Sequence, residues 1–319
     1  MSYQPCVLIT GANGFIGQRL VSHLVHLHGV SVKAAVRREG MLDGSAPEVV
    51  TGAIDGETDW AAALKGVDSV VHLAAKAHVF DESDATHEAF QRTNVAGTRA
   101  LAEQAARAGV RRFVFVSTAK VHGEFTQAGR PFNIGDTLAP SSAYSRSKAE
   151  AEQQLRDAAA ETGMEVVIIR PPLVYGPGVS ANFAAMIHWL RRGIPLPLGR
   201  TDNARSLLAL DNLVDLITTC LAHPGAANQT LLASDGEDVS TTQLLQMTAA
   251  ALGCRARLIP VPPWVMKLGA KVTRQEAVYL RLFGSLQLDI SHTRQTLGWT
   301  PPLSLADGLQ QTANRMEQH

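Results

Sequence analysis

Tyr144 and Lys148 stand four residues apart at the start of a helical pattern, so they share one helix face. A phenol with its ordinary pKa of about 10 is almost fully protonated at neutral pH. A neighbouring ammonium favours the phenolate, and the pair therefore reads as an acid/base that moves a proton at a substrate oxygen. The apolar run Val114-Phe115-Val116 ends at Ser117-Thr118. That ending places a hydroxyl donor at a strand end, where it can hydrogen-bond the same reacting oxygen.

A second cluster supplies a redox partner. Gly11-Ala12-Asn13-Gly14-Phe15-Ile16-Gly17 follows the first apolar run and opens the first helical pattern. Gly11 permits a tight turn, Gly14 lets backbone approach a pyrophosphate, and Gly17 lets the helix pack on the strand, with the phosphates at the positive helix end. The spacing is GxxGxxG rather than GxGxxG, and its strand-loop-helix setting carries the assignment. About twenty residues past the last glycine, where an acid would hold a ribose hydroxyl, stand Arg37 and Arg38. A guanidinium suits a 2′-phosphate, so the expected cofactor is NADP(H) rather than NAD(H), with Asp55 placed to hold the adenine.

These residues need strands that end together and helices that start together. Continuous apolar runs at Cys6–Thr10, Val30–Val36, Val49–Ile54, Ser69–Leu73, Arg112–Val116 and Glu165–Arg170 read as strands covered on both faces. Helical patterns lie between them, from Phe15 to Leu27, from Ala89 to Ala108 and from Tyr144 to Glu161, with Gly29, Gly109 and Gly163 as stops. The alternation predicts a doubly wound α/β fold of the Rossmann type over residues 1–170. Beyond it, Pro and Gly become frequent and helices dominate, at about 181–192, 211–222, 240–252, 262–271 and 303–316. Isolated strands are expected at Gln229–Ala233 and Arg257–Ile259. Residues 171–319 read as a smaller mixed α/β substrate-binding region built on the edge of the first.

The composition narrows the function classes. With 29 Lys and Arg against 29 Asp and Glu, the 319-residue chain has no basic excess for nucleic acid or an anionic membrane. Hydrophobic residues at 45% and charged residues at 18% suit a globular protein rather than a disordered one. No apolar run is long enough to span a membrane and no signal peptide opens the chain, so a cytoplasmic location is expected. Cys6, Cys220 and Cys254 fit neither a disulfide framework nor a zinc site and read as buried small apolar residues; no metal-ligand cluster is visible.

Taken together, these motifs resemble the extended short-chain dehydrogenase/reductase family, and within it the NAD(P)-dependent nucleotide-sugar epimerases and reductases. The resemblance covers nearly the whole chain. It implies that Tyr144 is the acid/base, that Lys148 holds the nicotinamide ribose and lowers the tyrosine pKa, and that Thr118 orients the sugar hydroxyl. It also implies that Leu73, Ala74 and Ala75 pass the cofactor, with Asn94, Ser117 and Pro171 lining the same site. Asn182 and Arg205 are the implied contacts to a UDP-sugar diphosphate, and Arg281 is an implied substrate contact. A homodimer is implied through a four-helix interface built from Ala89–Ala108 and Tyr144–Glu161. His72, His78 and His122 read as structural rather than catalytic.

The chain also departs from the family pattern. Leu173 replaces an Asn near the substrate phosphate, Lys120 and His122 replace the commoner Thr and Tyr, and Ser285-Leu286-Gln287-Leu288-Asp289 stands in place of an Arg-x-Gly-Asp segment. Ala119-Lys120 follows Thr118 where a 4,6-dehydratase needs an acidic pair. The leading expectation is NADPH-dependent 4-keto reduction of a UDP-4-keto-6-deoxy-N-acetylhexosamine in surface-polysaccharide (O-antigen) synthesis. The alternative is a UDP-hexose 4-epimerase, acting on UDP-glucose or UDP-N-acetylglucosamine with tightly bound NAD. A non-catalytic NADP-binding sensor is the third reading, and the presence of both Tyr144 and Lys148 speaks against it.

Overall fold

A computed structural model describes residues 4–77, 84–127, 129–179 and 181–315. Among these, β1 (Cys6–Thr10), β2 (Ser31–Val36), β3 (Glu48–Val50), β4 (Ser69–His72), β5 (Arg112–Val116), β6 (Glu165–Arg170) and β9 (Thr230–Leu232) form one sheet in the order β3-β2-β1-β4-β5-β6-β9. All of its pairings are parallel. The order reverses between β1 and β4, and the crevice beyond the carboxyl ends of those two strands is where such sheets hold ligands.

Every residue of β1 is buried, and the two faces divide the apolar side chains. Val7 and Ile9 pack with Leu20 and Leu24 of α1 (Phe15–Val25) and with Leu213, Leu216 and Ile217 of α7 (Leu210–Ala222). Leu8 points to the other layer, among Leu64 of α2 (Ala61–Leu64), Leu101 and Ala105 of α4 (Gly97–Arg107), and Ala151 and Leu155 of α5 (Ala143–Thr162). Burial on both faces is why the strands read as continuous rather than alternating apolar runs.

A second sheet, β10-β8-β7, joins β7 (Leu173–Tyr175) and β8 (Arg205–Ala209) in parallel and β10 (Asp238–Val239) antiparallel. Around it lie α6 (Ala181–Arg191), α8 (Thr241–Ala251), α9 (Pro263–Val272), α10 (Glu276–Phe283), α11 (Ser291–Leu297) and α12 (Leu305–Arg315). Tyr175 links the two parts: its hydroxyl donates to Asp235 at 2.8 Å, and Asp235 also accepts from the Ala209 amide and Asn212.

Several expected elements differ. The strand near 229–233 is not isolated, because β9 completes the main sheet beside β6. The strand expected at Val49–Ile54 ends at Val50, and Gly52 turns the chain with φ +70°. Arg257–Ile259 forms a single bridge between Leu196 and Leu258 rather than a strand, since Pro195, Pro197 and Pro260 cannot extend a ladder. The helix expected over Ala89–Ala108 is three pieces: α3 (Asp84–Phe90), a π-helical turn over 91–96, and α4. Cys6 and Cys220 are buried, but Cys254 is half-buried, its sulfur against the Leu190 carbonyl at 3.8 Å. Among the described residues no helix is long and apolar enough to cross a membrane, and no three ligating side chains cluster for a metal.

Candidate active site

The loop from β1 into α1 is shaped for close approach. Gly11 has φ +67°, and a Cβ there would lie 2.8 Å from the Ala74 amide nitrogen. A Cβ on Gly17 would lie far closer to the Gly11 carbonyl oxygen than van der Waals contact allows. Gly14 precedes α1 and offers no side-chain cap, and the first turn carries no acid. The first-turn amides therefore keep their capacity for an anion. Asn13, Phe15 and Ile16 continue this turn, and Leu73, Ala74 and Ala75 run past it on the loop after β4, tied back by the Leu73 amide to the Thr10 carbonyl. A glycine-lined cradle at a helix N-terminus, closed by backbone on its far side, fits a dinucleotide pyrophosphate. Gly17→Ala is expected to abolish dinucleotide binding in a fluorescence titration and to cost about 1–3 kcal/mol of stability by overpacking against backbone. Wild-type affinity in that variant would show that the loop is not the cradle.

Arg37 and Arg38 are exposed directly after β2. Asp55 is occupied locally: its carboxylate accepts from the Glu57 amide at 3.0 Å and the Thr58 hydroxyl at 3.2 Å.

The acid/base pair is set by the start of α5. Ser142 and Ser145 form a capping box, so the helix begins at Ala143 and carries Tyr144 in its first turn. Tyr144 is half-buried beside Phe90 (ring centroids 6.1 Å apart), and burial pushes its phenol up to about 12. Lys148 is only 2% exposed, and its ammonium lies 3.9 Å above the Phe115 ring. Burial lowers its pKa to about 7, against the opposing influence of Glu152. Because an unfolded lysine titrates near 10.5, the unfolded chain binds the extra proton between about pH 7 and 10.5. Stability of the cofactor-free protein is therefore expected to rise with pH across that window and to lose this contribution as pH falls to 7. Urea midpoints of the wild type against Lys148→Met check this: the variant should lack that part of the slope, and identical slopes would exclude a depressed lysine.

Ser117 and Thr118, equivalent candidates in the sequence, are separated by their partners. The Ser117 hydroxyl donates to Glu152 at 2.6 Å, so its proton is committed to the protein interior. Thr118 Oγ1 only accepts, from the Lys120 amide at 3.3 Å, and keeps its proton for another acceptor. Asn94 sits in the π-helical turn, where it takes the Lys76 amide at 2.7 Å and donates to the Lys76 carbonyl and Ser147 hydroxyl. Its amide is thus spent fastening the β4 loop to α5. Pro171 follows β6 and accepts from the Ala119 amide.

Glu152 was not among the sequence candidates, although Tyr144-x3-Lys148-x3-Glu152 repeats the helical interval. Its side chain is fully buried and receives Arg170 at 2.5 and 3.0 Å and Arg156 at 2.9 Å. Burial alone would raise the Glu152 carboxyl, but the bonds and charge of Arg170 hold it below the usual range. Arg170 also donates to His122, whose pKa burial and the guanidinium lower to about 4. His72 bonds Thr10 at 2.6 Å and Thr98 at 2.9 Å; burial first, then the Lys148 charge, lower it to about 3. Both histidines are neutral spacers in the wall behind the pair.

The expected substrate contacts are less converged. Arg205 lies at the start of β8, and its Nη1 donates to the carbonyls of Arg281 (2.9 Å) and Gly284 (3.1 Å). Burial lowers its pKa, opposed by Glu124. Arg281 is exposed on α10. Asn182 falls in α6 with its side chain outside the described residues, and His78 lies outside them altogether.

Residues 7–232 match the NAD dependent epimerase/dehydratase family. The chain belongs to that family. It is an enzyme of the extended short-chain dehydrogenase type, working with a nicotinamide dinucleotide. It is 48% identical over 310 residues to a UDP-glucose 4-epimerase of Vibrio cholerae, covering 96% of this chain and 94% of that one. MoeE5, solved with UDP-glucuronic acid and NAD, is 26% identical at a TM-score of 0.78 over 98% of this chain and 99% of its own. The UDP-glucose 4-epimerase of Thermotoga maritima, solved with UDP-glucose, shares the fold at 23% identity and a TM-score of 0.78 over 98% of this chain and 99% of its own.

Proposed function

We propose that this enzyme interconverts C4 epimers of a UDP-linked hexose, with Tyr144 as the proton carrier. The observation that supports it most is the 48% identity, across nearly the whole chain, to a UDP-glucose 4-epimerase. In this reading, residues 1–170 hold the dinucleotide and residues 171–319 hold the sugar nucleotide. Gly11, Asn13, Gly14, Phe15, Ile16 and Gly17 receive the pyrophosphate, while Leu73, Ala74, Ala75, Asn94, Ser117 and Pro171 form the wall behind it. The bound dinucleotide supplies a hydride acceptor that is also the donor. Tyr144 takes the proton of the C4 hydroxyl and returns it after the sugar has presented its other face. Lys148 holds the dinucleotide ribose and contributes the positive charge that a phenol pushed up by burial needs before it can lose a proton. Thr118 donates its free proton to the C4 oxygen, Asn182 and Arg205 meet the diphosphate, and Arg281 contacts the sugar nucleotide. We also propose a homodimer through α4 and α5.

The reductase is the second reading, supported by Arg37 and Arg38 directly after β2, while Asp55 is held in its own turn. In that reading the C4 carbonyl of a UDP-4-keto-6-deoxy-N-acetylhexosamine gains a hydride from NADPH and a proton from Tyr144. One experiment separates them. Purified enzyme is mixed with UDP-glucose and UDP-N-acetylglucosamine, then with the UDP-4-keto sugar and NADPH, while products and reduced-nicotinamide absorbance are followed. Epimer formation without net cofactor change supports the first reading. NADPH loss in proportion to product, with no epimer formed, replaces it with the second, and neither activity removes both.

A further inference from the structure

α9 contributes nothing to the core: none of its residues is buried. Trp264, Leu268 and Val272 are 69%, 57% and 77% exposed and recur every four residues, so they form one apolar stripe along the helix. Lys267 and Lys271 are exposed along the edge of the same stripe, and Arg274 is exposed just past the helix end. Arg255 and Arg257 are exposed on the segment that leads in. Residues 239–275 contain these five cations and no Asp or Glu. Lys267, Lys271 and Arg274 thus give the helix and its end a local positive charge that the zero net charge of the whole chain conceals, with Glu276 at the start of α10 the next acid along the chain, and total charge is no argument against an anionic partner at this face.

We propose that the outer face of α9 is a peripheral docking surface for a bilayer carrying anionic phospholipid. Three features favour a lipid surface over a protein groove. An indole beside the branched aliphatic side chains of Leu268 and Val272 suits the boundary between headgroups and acyl chains, where one edge of the ring is wet and the other dry. Lysines at the stripe's edge can lay their methylene stems on the apolar side while their ammonium groups reach phosphate. Pro260, Pro262 and Pro263 stiffen the entry to a helix of only ten residues, which suits lying on a membrane and is too short for crossing one. From α9 the chain passes into α10, and the carbonyls of Arg281 and Gly284 near its end hold Arg205. One short helix thus connects the docking face to Arg205, which the proposed function assigns to the diphosphate. The docking proposal itself holds whichever sugar reaction the enzyme performs.

Flotation of the full-length protein with phosphatidylcholine vesicles, with and without phosphatidylglycerol, tests this. Binding is expected only with the anionic lipid and is expected to weaken in high salt. Trp264→Ser with Leu268→Ser, and separately Lys267→Glu with Lys271→Glu, are each expected to reduce partitioning by about tenfold or more. On addition of anionic vesicles, tryptophan emission should shift to the blue in Trp189→Phe and fail to shift in Trp264→Phe. Circular dichroism confirms that each variant is folded, which the exposure of all these side chains predicts. Absence of flotation on phosphatidylglycerol vesicles overturns the proposal, as does wild-type partitioning by either double variant. Loss of an oligomer on removing the stripe, without lipid binding by the wild type, would assign the face to a protein partner and likewise overturn it.

Discussion

Tyr144→Phe is expected to lower turnover by about three orders of magnitude while leaving dinucleotide affinity within about twofold, because general acid–base transfer contributes on that scale. The substitution removes one oxygen and keeps the ring against Phe90, so packing and the Gly11–Gly17 cradle are undisturbed. Thr118→Val should cost less, since it removes a hydrogen bond to the reacting oxygen and not the proton itself. Comparing kcat with the dissociation constant for the dinucleotide in the two variants checks both. Unchanged turnover in Tyr144→Phe would remove the mechanism, and a parallel loss of dinucleotide binding would mean that the phenol serves structure instead.

The second large effect is on stability. Glu152→Ala is expected to destabilise the protein by about 3–5 kcal/mol, because it strands the Arg170 guanidinium in a site that is 3% exposed. It also releases Ser117, whose proton Glu152 accepts at 2.6 Å. Replacing Glu152 and Arg170 together by Leu should cost less than either single change, since no uncompensated charge remains buried. Urea midpoints of the singles and the double give the coupling. A loss below about 1 kcal/mol in Glu152→Ala would show that the pair is solvated rather than buried.

The parts legible in the sequence were those governed by local chemistry. The glycine spacing after β1, the Tyr144–Lys148 interval and the apolar runs of the central strands each depend on contiguous residues. The same holds for the expectation of a doubly wound sheet, because strands covered on both faces are apolar without a gap. The elements that went unread lack that signature. α10 has no fully buried residue and meets the core only through Leu282 and Phe283 at its C-terminal end. β7 is three residues long, β10 two, and α11 seven. β9 looked solitary because its neighbour β6 is about sixty residues away along the chain.

The kind of chemistry follows from residue order alone: a phenol and an ammonium on one helix face, a hydroxyl at a strand end, and a glycine turn for phosphates. The same order placed the chain in its family by motifs that each occupy a short contiguous segment. Which hydroxyl keeps its proton became visible in three dimensions, where Glu152 takes the Ser117 proton and Thr118 accepts from the Lys120 amide. Only the tertiary structure showed that Asn94 fastens the β4 loop to α5, that Glu152 and Arg170 are the buried charges behind Lys148, and that the apolar face of α9 stays outside the core. Each of these depends on which groups meet across long sequence separations. Hydrogen-bond satisfaction and desolvation are properties of that meeting and are not encoded at any one position.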